Sequence, residues 1–233
     1  MINKPCRLIA IGGGGFTHDV DPAMEDFILA QSRRALARVG FIGTASGDDP
    51  HKIGRFHERF SGCCAQHTHV AANADAGTLA RWLVELDLVY VGGGNTLHLL
   101  SRWRALGWDR VLIDAAHRGV LMAGVSAGAS AWFAQALTDA GGAGLAPVEG
   151  IGLMTGSCCP HYSTEPARRT AFPACIASGV LPDGVAIDDG VALLIDGSGT
   201  MTAFSARRGA GAYRVLRSGA EAICEAIAPV LTP

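Results

Sequence analysis

Short apolar runs alternate with amphipathic stretches along most of the chain. The runs at 7–11, 40–44, 67–70, 88–91, 120–124, 184–187 and 191–196 are mostly near-continuous in apolar residues, which predicts strands buried on both faces of a parallel sheet. Between them, residues 21–39 place Met24, Phe27, Ile28, Ala35 and Leu36 at helical spacing, with Asp19 or Asp21 as N-cap and Pro22 in the first turn. Further helices are predicted at 51–61, 76–86, 96–106, 108–118 and 127–137. Turn signals at Asp189-Gly190 and Asp196-Gly197-Ser198-Gly199 predict a small antiparallel meander over residues 187–213. The class is α/β, a parallel sheet between two layers of helices, with functional groups expected where the carboxyl ends of the strands feed into loops. No linker, repeat or low-complexity tract divides the chain, so residues 1–233 read as one domain; Gly141-Gly142-Ala143-Gly144 reads as a flexible loop inside it.

Composition narrows the function. With 49% hydrophobic and 17% charged residues the chain can build a core, which excludes disorder. Nineteen Lys and Arg against 21 Asp and Glu give a net charge of −2 and no basic field for nucleic acid. No run approaches the roughly 18 apolar residues of a membrane span. Lys4 and Arg7 precede an apolar stretch, 8–11, too short for a signal segment, so no export is expected. Seven cysteines, an odd number with two adjacent pairs, suit reduced thiols and a cytoplasmic setting. Cys63-Cys64-Ala65-Gln66-His67-Thr68-His69 departs from zinc-ligand spacing, and no metal is expected there.

Glycine changes the picture. There are 31, clustered where predicted strands end. Val120 to Ala129 reads as an apolar strand, then Gly124-Val125-Ser126-Ala127-Gly128, then a helix former, which is the setting of a nucleophile elbow. Ser126 is the candidate nucleophile. A second strand runs into Gly92-Gly93-Gly94-Asn95-Thr96, with Asn95 or Thr96 as N-cap, and side-chain-free N–H groups there suit an oxyanion or a phosphate. In the acyl-transfer reading Gly93 or Gly94 donates together with Ala127. Gly12-Gly13-Gly14-Gly15 raises the nucleotide alternative, but Thr17 stands where the dinucleotide fingerprint needs its third glycine. The other use of these glycines is to let the first loop approach the site.

Of the eight histidines, His161 lies in the polar loop Cys158-Cys159-Pro160-His161-Tyr162-Ser163-Thr164-Glu165-Pro166, free to reach a neighbour, and is the candidate base; His18 is second. For the acid that orients it, Asp139 follows the helix behind Ser126, and Glu149, Glu165 and Asp188 compete.

These motifs, Ile9-Ala10-Ile11-Gly12-Gly13-Gly14, Gly43-Thr44-Ala45-Ser46, Val91-Gly92-Gly93-Gly94-Asn95-Thr96, Gly124-Val125-Ser126-Ala127-Gly128-Ala129 and Cys159-Pro160-His161-Tyr162, occur in the order found in the peptidase E and cyanophycinase group of serine peptidases, which the chain resembles over about residues 7–200. The resemblance implies a flavodoxin-like or class I glutamine amidotransferase-like fold. It implies Ser126 as nucleophile, His161 as base, Asp139 as acid, and Gly93 or Gly94 with Ala127 as oxyanion donors. Asn95 and Thr96 would then border the substrate. In the peptidase E branch an arginine after the base pairs with the carboxylate of an N-terminal aspartate; Arg168 and Arg169 stand there, in a segment whose spacing differs from that of strict aspartyl dipeptidases. The expected function is a serine dipeptidase acting on a small peptide, Asp-X or a related one, without cofactor. A silent small-acid-binding protein on the same fold is the alternative. The Leu, Val and Ala faces suit a homodimer and a monomer equally.

Overall fold

The computed structural model describes residues 6–18, 20–228 and 230–232. Along β1 (Leu8–Ile11), Leu8 and Ala10 enter one apolar cluster and Ile9 and Ile11 another, so both faces of the strand are buried. That pattern organises the first half of the chain, which continues through α1 (Ala23–Ala30), β2 (Arg38–Ile42), α2 (Pro50–Phe60), β3 (Gln66–Val70), α3 (Ala76–Val84), β4 (Leu88–Val91), α4 (Thr96–Leu106), α5 (Trp108–Arg118), β5 (Leu121–Val125) and α6 (Ala127–Trp132). Leu79, Leu99, Trp103 and Leu112, from α3, α4 and α5, cover one face. Met24, Ile28, Phe56 and Phe60, from α1 and α2, cover the other with Phe16.

The second half is richer in strands: β6 (Phe133–Thr138), β7 (Ala146–Glu149), β8 (Met154–Cys159), α7 (Pro166–Ala177), β9 (Gly184–Ile187), β10 (Val191–Ile195), β11 (Met201–Ser205), β12 (Ala212–Ser218), β13 (Glu221–Ala226) and β14 (Val230–Leu231). Two sheets result. The first has the order β14-β11-β10-β1-β5-β4-β2-β3, in which β1 to β5 are parallel and β10 and β11 antiparallel. The second has the order β13-β12-β9-β8-β6-β7 and a core of its own, where Leu137, Tyr162, Phe172 and Val215 meet under α7. In the first sheet Ile11 pairs with Val125, and Val91 with Gly124 and Ile42. The carboxyl ends of β1, β2, β4 and β5 are therefore level, and their loops open along one edge.

The α/β class, the parallel core and its two helical layers are as the pattern predicts, and α4 and α5 occupy the predicted residues. Several elements differ. The helix predicted over 21–39 stops at Ala30, because Val39 is needed between Leu88 and His67 in the sheet. Its N-cap is Pro22; Asp21 instead binds Arg207, and Asp19, like Lys4, lies outside the described residues. The helix predicted over 127–137 ends at Trp132, and the helix-forming Phe133–Thr138 becomes β6, paired with β7 and β8; tertiary pairing overrides propensity. The meander expected over 187–213 is divided: β10 and β11 pair antiparallel but extend the first sheet, while the two ends of the span, in β9 and β12, pair in the second. α7 begins at the last residue of the predicted loop and fills a segment for which the pattern gives no element, with Pro166 in its first turn. No helix among the described residues is long and apolar enough to cross a membrane.

Candidate active site

Ser126 sits between β5 and α6 with φ +56° and ψ −113°, a conformation that costs a non-glycine residue on the order of 1–3 kcal/mol. Its surroundings hold it there. Ser126 N–H donates to Ile11 O at 3.0 Å, and its own carbonyl accepts from Ser130 N–H at 2.9 Å. A Cβ on Gly124 would lie 2.5 Å from the carbonyl carbon of Gly128 and 2.8 Å from Trp132 Nε1. A Cβ on Gly128 would strike Val91. Only glycine lets the elbow seat against β4.

His161 reaches the serine from the loop after β8. It too has a positive φ, +54°, and its N–H donates to Gly12 O at 3.2 Å. Its Nε2 lies 2.8 Å from Ser126 Oγ and its Nδ1 2.8 Å from Asp189 Oδ1. Asp189 stands in the turn between β9 and β10, where Thr164 Oγ1 donates to its second oxygen at 2.6 Å. Burial opposes its charge, but the hydrogen bonds from His161 and Thr164 and the positive field of Arg207 outweigh that and hold its carboxyl at about 2. An ionised carboxylate only accepts, so Nδ1 carries the proton and Nε2 accepts from the Ser126 hydroxyl. An imidazole so held can take a hydroxyl proton. Gly13 makes room for the pair: a Cβ there would overlap Asp189 Oδ1 and come within 2.8 Å of His161 Nδ1.

Backbone donors complete the site. Gly92 N–H is bound to Ile42 O and Asn95 N–H to Ala45 O. Among the described residues, the intervening Gly93 and Gly94 N–H groups and that of Ala127 have no acceptor. Lys52 Nζ donates to Gly93 O at 3.1 Å, fixing that peptide plane. Gly94, Ala127, Ser126 and His161 line a cavity of about 430 Å³, with Asn95 and Thr96 on its wall.

The structure parts from the sequence expectation at the acid. Asp139 does not bond His161; β6 brings it to the cavity wall, where it accepts from Arg168 Nη2 at 3.2 Å. Glu165 also binds Arg168, Asp188 accepts from Gly211 N–H and Tyr213 Oη, and Glu149 lies on β7. In the sequence Asp189 reads only as a turn residue, beside Gly190. Its available signal was its place after β9, at the carboxyl end of a buried strand. Of the two arginines, Arg168 lines the cavity, whereas Arg169 turns away onto Tyr162, whose ring it covers at 5.1 Å. His18 bonds Thr17, and His57, His67 and His69 form a hydrogen-bonded chain on α2 and β3. Among the described residues no group of three or more His, Cys, Asp or Glu is placed to hold a metal ion.

The model of peptidase family S51 matches residues 8–202. The chain belongs to peptidase family S51. It is 39% identical over 226 residues to the uncharacterized peptidase YgaJ of Bacillus subtilis (strain 168), covering 96% of this chain and 97% of that one. Its fold is similar to a crystal structure provisionally named a peptidase E protein from Listeria monocytogenes EGD-e, with TM-score 0.62 and 20% identity over 85% of this chain and 97% of that one. A peptidase from an acI-B1 actinobacterium superposes with TM-score 0.65 and 16% identity, over 96% and 98% of the two chains. Membership of S51 makes the chain a peptidase, and the family match spans Ser126, His161 and Asp189.

Two predictions follow from the site. The backbone at Gly13 is not left-handed, so Gly13→Ala changes only space; it should slow fluorophosphonate labelling of Ser126 by on the order of 10²-fold, measured by intact mass against time. Because the Asp189 carboxyl lies at about 2 against an ordinary 3.8, it favours the folded state fully above about pH 4 and progressively less toward pH 2. Thermal melts of wild type and Asp189→Asn should converge over that interval, and a constant gap would show that the charge is not what matters.

Proposed function

We propose that this S51 peptidase is a serine dipeptidase that releases the first residue of a small peptide. The observation that carries the reading is the unbroken chain Ser126 Oγ, His161 Nε2, His161 Nδ1, Asp189 Oδ1, with both contacts at 2.8 Å, in the wall of a cavity lined by free N–H groups. Ser126 Oγ attacks the scissile carbonyl as His161 takes its proton. Asp189, ionised, steadies the imidazolium that forms. The tetrahedral oxyanion is held by Ala127 N–H with Gly94 or Gly93 N–H, donors fixed before the reaction begins. His161 then protonates the leaving amine, and water repeats the cycle on the acyl-enzyme. A cavity of about 430 Å³ suits a ligand of a few residues at most. A silent binding protein on this fold would have no use for an imidazole bonded to the serine.

The test is intact-mass analysis after fluorophosphonate treatment, followed by a dipeptide panel. One adduct, mapped to Ser126 and absent from Ser126→Ala, with turnover lost in the same variant, is expected; turnover retained in Ser126→Ala would overturn the mechanism. Lys52 has a separate role in this reading, since holding Gly93 O aims the Gly94 N–H at the oxyanion. Lys52→Met should lower kcat by about 10-fold with KM nearly unchanged, a smaller effect than the 10²–10³ of losing a donor outright. An effect confined to KM would place Lys52 in substrate binding instead.

A further inference from the structure

The cavity beside Ser126 contains one fixed cation and two fixed anions, Arg168, Asp139 and Glu165. The cation is already engaged. Arg168 Nε donates to Glu165 Oε2 at 2.5 Å, Nη1 to Leu137 O at 2.9 Å, and Nη2 to Asp139 Oδ1 at 3.2 Å. Its side chain is 4% exposed, whereas those of Asp139 and Glu165 are 62% and 40% exposed. Of the three, the two carboxylates are the more open to a group entering the cavity. The loop carrying Asp139 is fixed as well: Thr138 Oγ1 donates to Thr96 Oγ1, Ala140 N–H donates to Thr138 Oγ1, and Asn95 Nδ2 donates to Ala140 O.

Burial works against the Arg168 charge, but the hydrogen bond to Glu165 and the fields of Cys159, Glu165 and Asp139 more than offset it, so the arginine stays protonated between two carboxyl groups. An acidic side chain could reach Arg168 only by displacing one of the two carboxylates while remaining beside the other. A basic side chain needs no such exchange, because it adds a second cation beside two carboxylates that share one. The two other cations nearby are engaged elsewhere and do not line the cavity: the Arg169 guanidinium lies over Tyr162, and Lys52 Nζ donates to Gly93 O.

We propose that this cavity selects peptides whose first residue has a cationic side chain and rejects those whose first residue is acidic. The inference rests on the dipeptidase reading for its use in catalysis, but the selectivity itself is a property of the cavity and can be measured without turnover. Lys-Leu, Leu-Leu and Asp-Leu would be titrated calorimetrically into Ser126→Ala, which keeps the cavity and removes the nucleophile. Lys-Leu should bind at least 10-fold more tightly than Asp-Leu, with the ratio shrinking as salt is raised. Adding Asp139→Asn, a change at a mostly exposed side chain and so of little risk to the fold, should reduce the ratio by at least about 3-fold. Asp-Leu binding as tightly as Lys-Leu, or neither peptide binding, would overturn the proposal. Fluorophosphonate labelling of the wild type separates the two readings. A labelled Ser126 with reversed selectivity defeats only the selectivity; the expected selectivity with no label and no turnover defeats only the dipeptidase.

Discussion

The close contact of three backbones at one edge of the first sheet is the constraint on which the site depends. The elbow at Ser126 must turn within a residue, and it does so against β4 and α6 at distances that admit no side chain at positions 124 and 128. The β1 loop presses in from the other side, where an unsubstituted Gly13 leaves space for the imidazole and its carboxylate. These approaches are possible because β1, β4 and β5 end in register, with Ile11 opposite Val125 and Val91 opposite Gly124. Apolar packing on both sheet faces sets that register, so the placement of a few polar atoms is inherited from the burial of residues such as Ile9, Val89 and Met122.

The electrostatics divide into two groups that work differently. Around His161, the single carboxylate of Asp189 is kept ionised by donors and steadied by Arg207, which is itself held by Asp21. Around Arg168, the excess lies with the anions. The sequence resemblance suggested an arginine open to a substrate carboxylate. The structure instead places Glu165 and Asp139 on that arginine, one from the start of α7 and one from the end of β6. Whether an arginine presents its charge or has it neutralised depends on its neighbours in space, and here one of them is 29 residues away.

What the sequence made legible follows the same distinction. Ser126, its glycines and the Gly92–Gly94 run were visible because a tight turn imposes its requirements on adjacent residues. Asn95 was legible as a cap for the same reason, and its Oδ1 does accept from His98 N–H. Asp189 was not, since the partner of His161 is 28 positions along and is set by the pairing of β8 with β9. Asp139 does arrive at the cavity, but from the end of β6 and not from a three-turn helix, and there its partner is Arg168 instead of His161. The second sheet was missed for a related reason. Its interior strands β6 and β8 contain Ala, Gln, Gly and Cys and declare themselves only through their neighbours.

The site draws its serine from the first sheet and its histidine and carboxylate from segments that follow the second, in the chain order Ser126, His161, Asp189. Synthesis on the ribosome runs in that order too. A nascent chain exposing the elbow still lacks the imidazole by 35 residues, and the carboxylate by 28 more. In the catalytic reading, the three groups meet only once β9 has paired with β8 and brought Asp189 to His161, so a chain synthesised as far as the elbow carries its serine without the partners that would activate it.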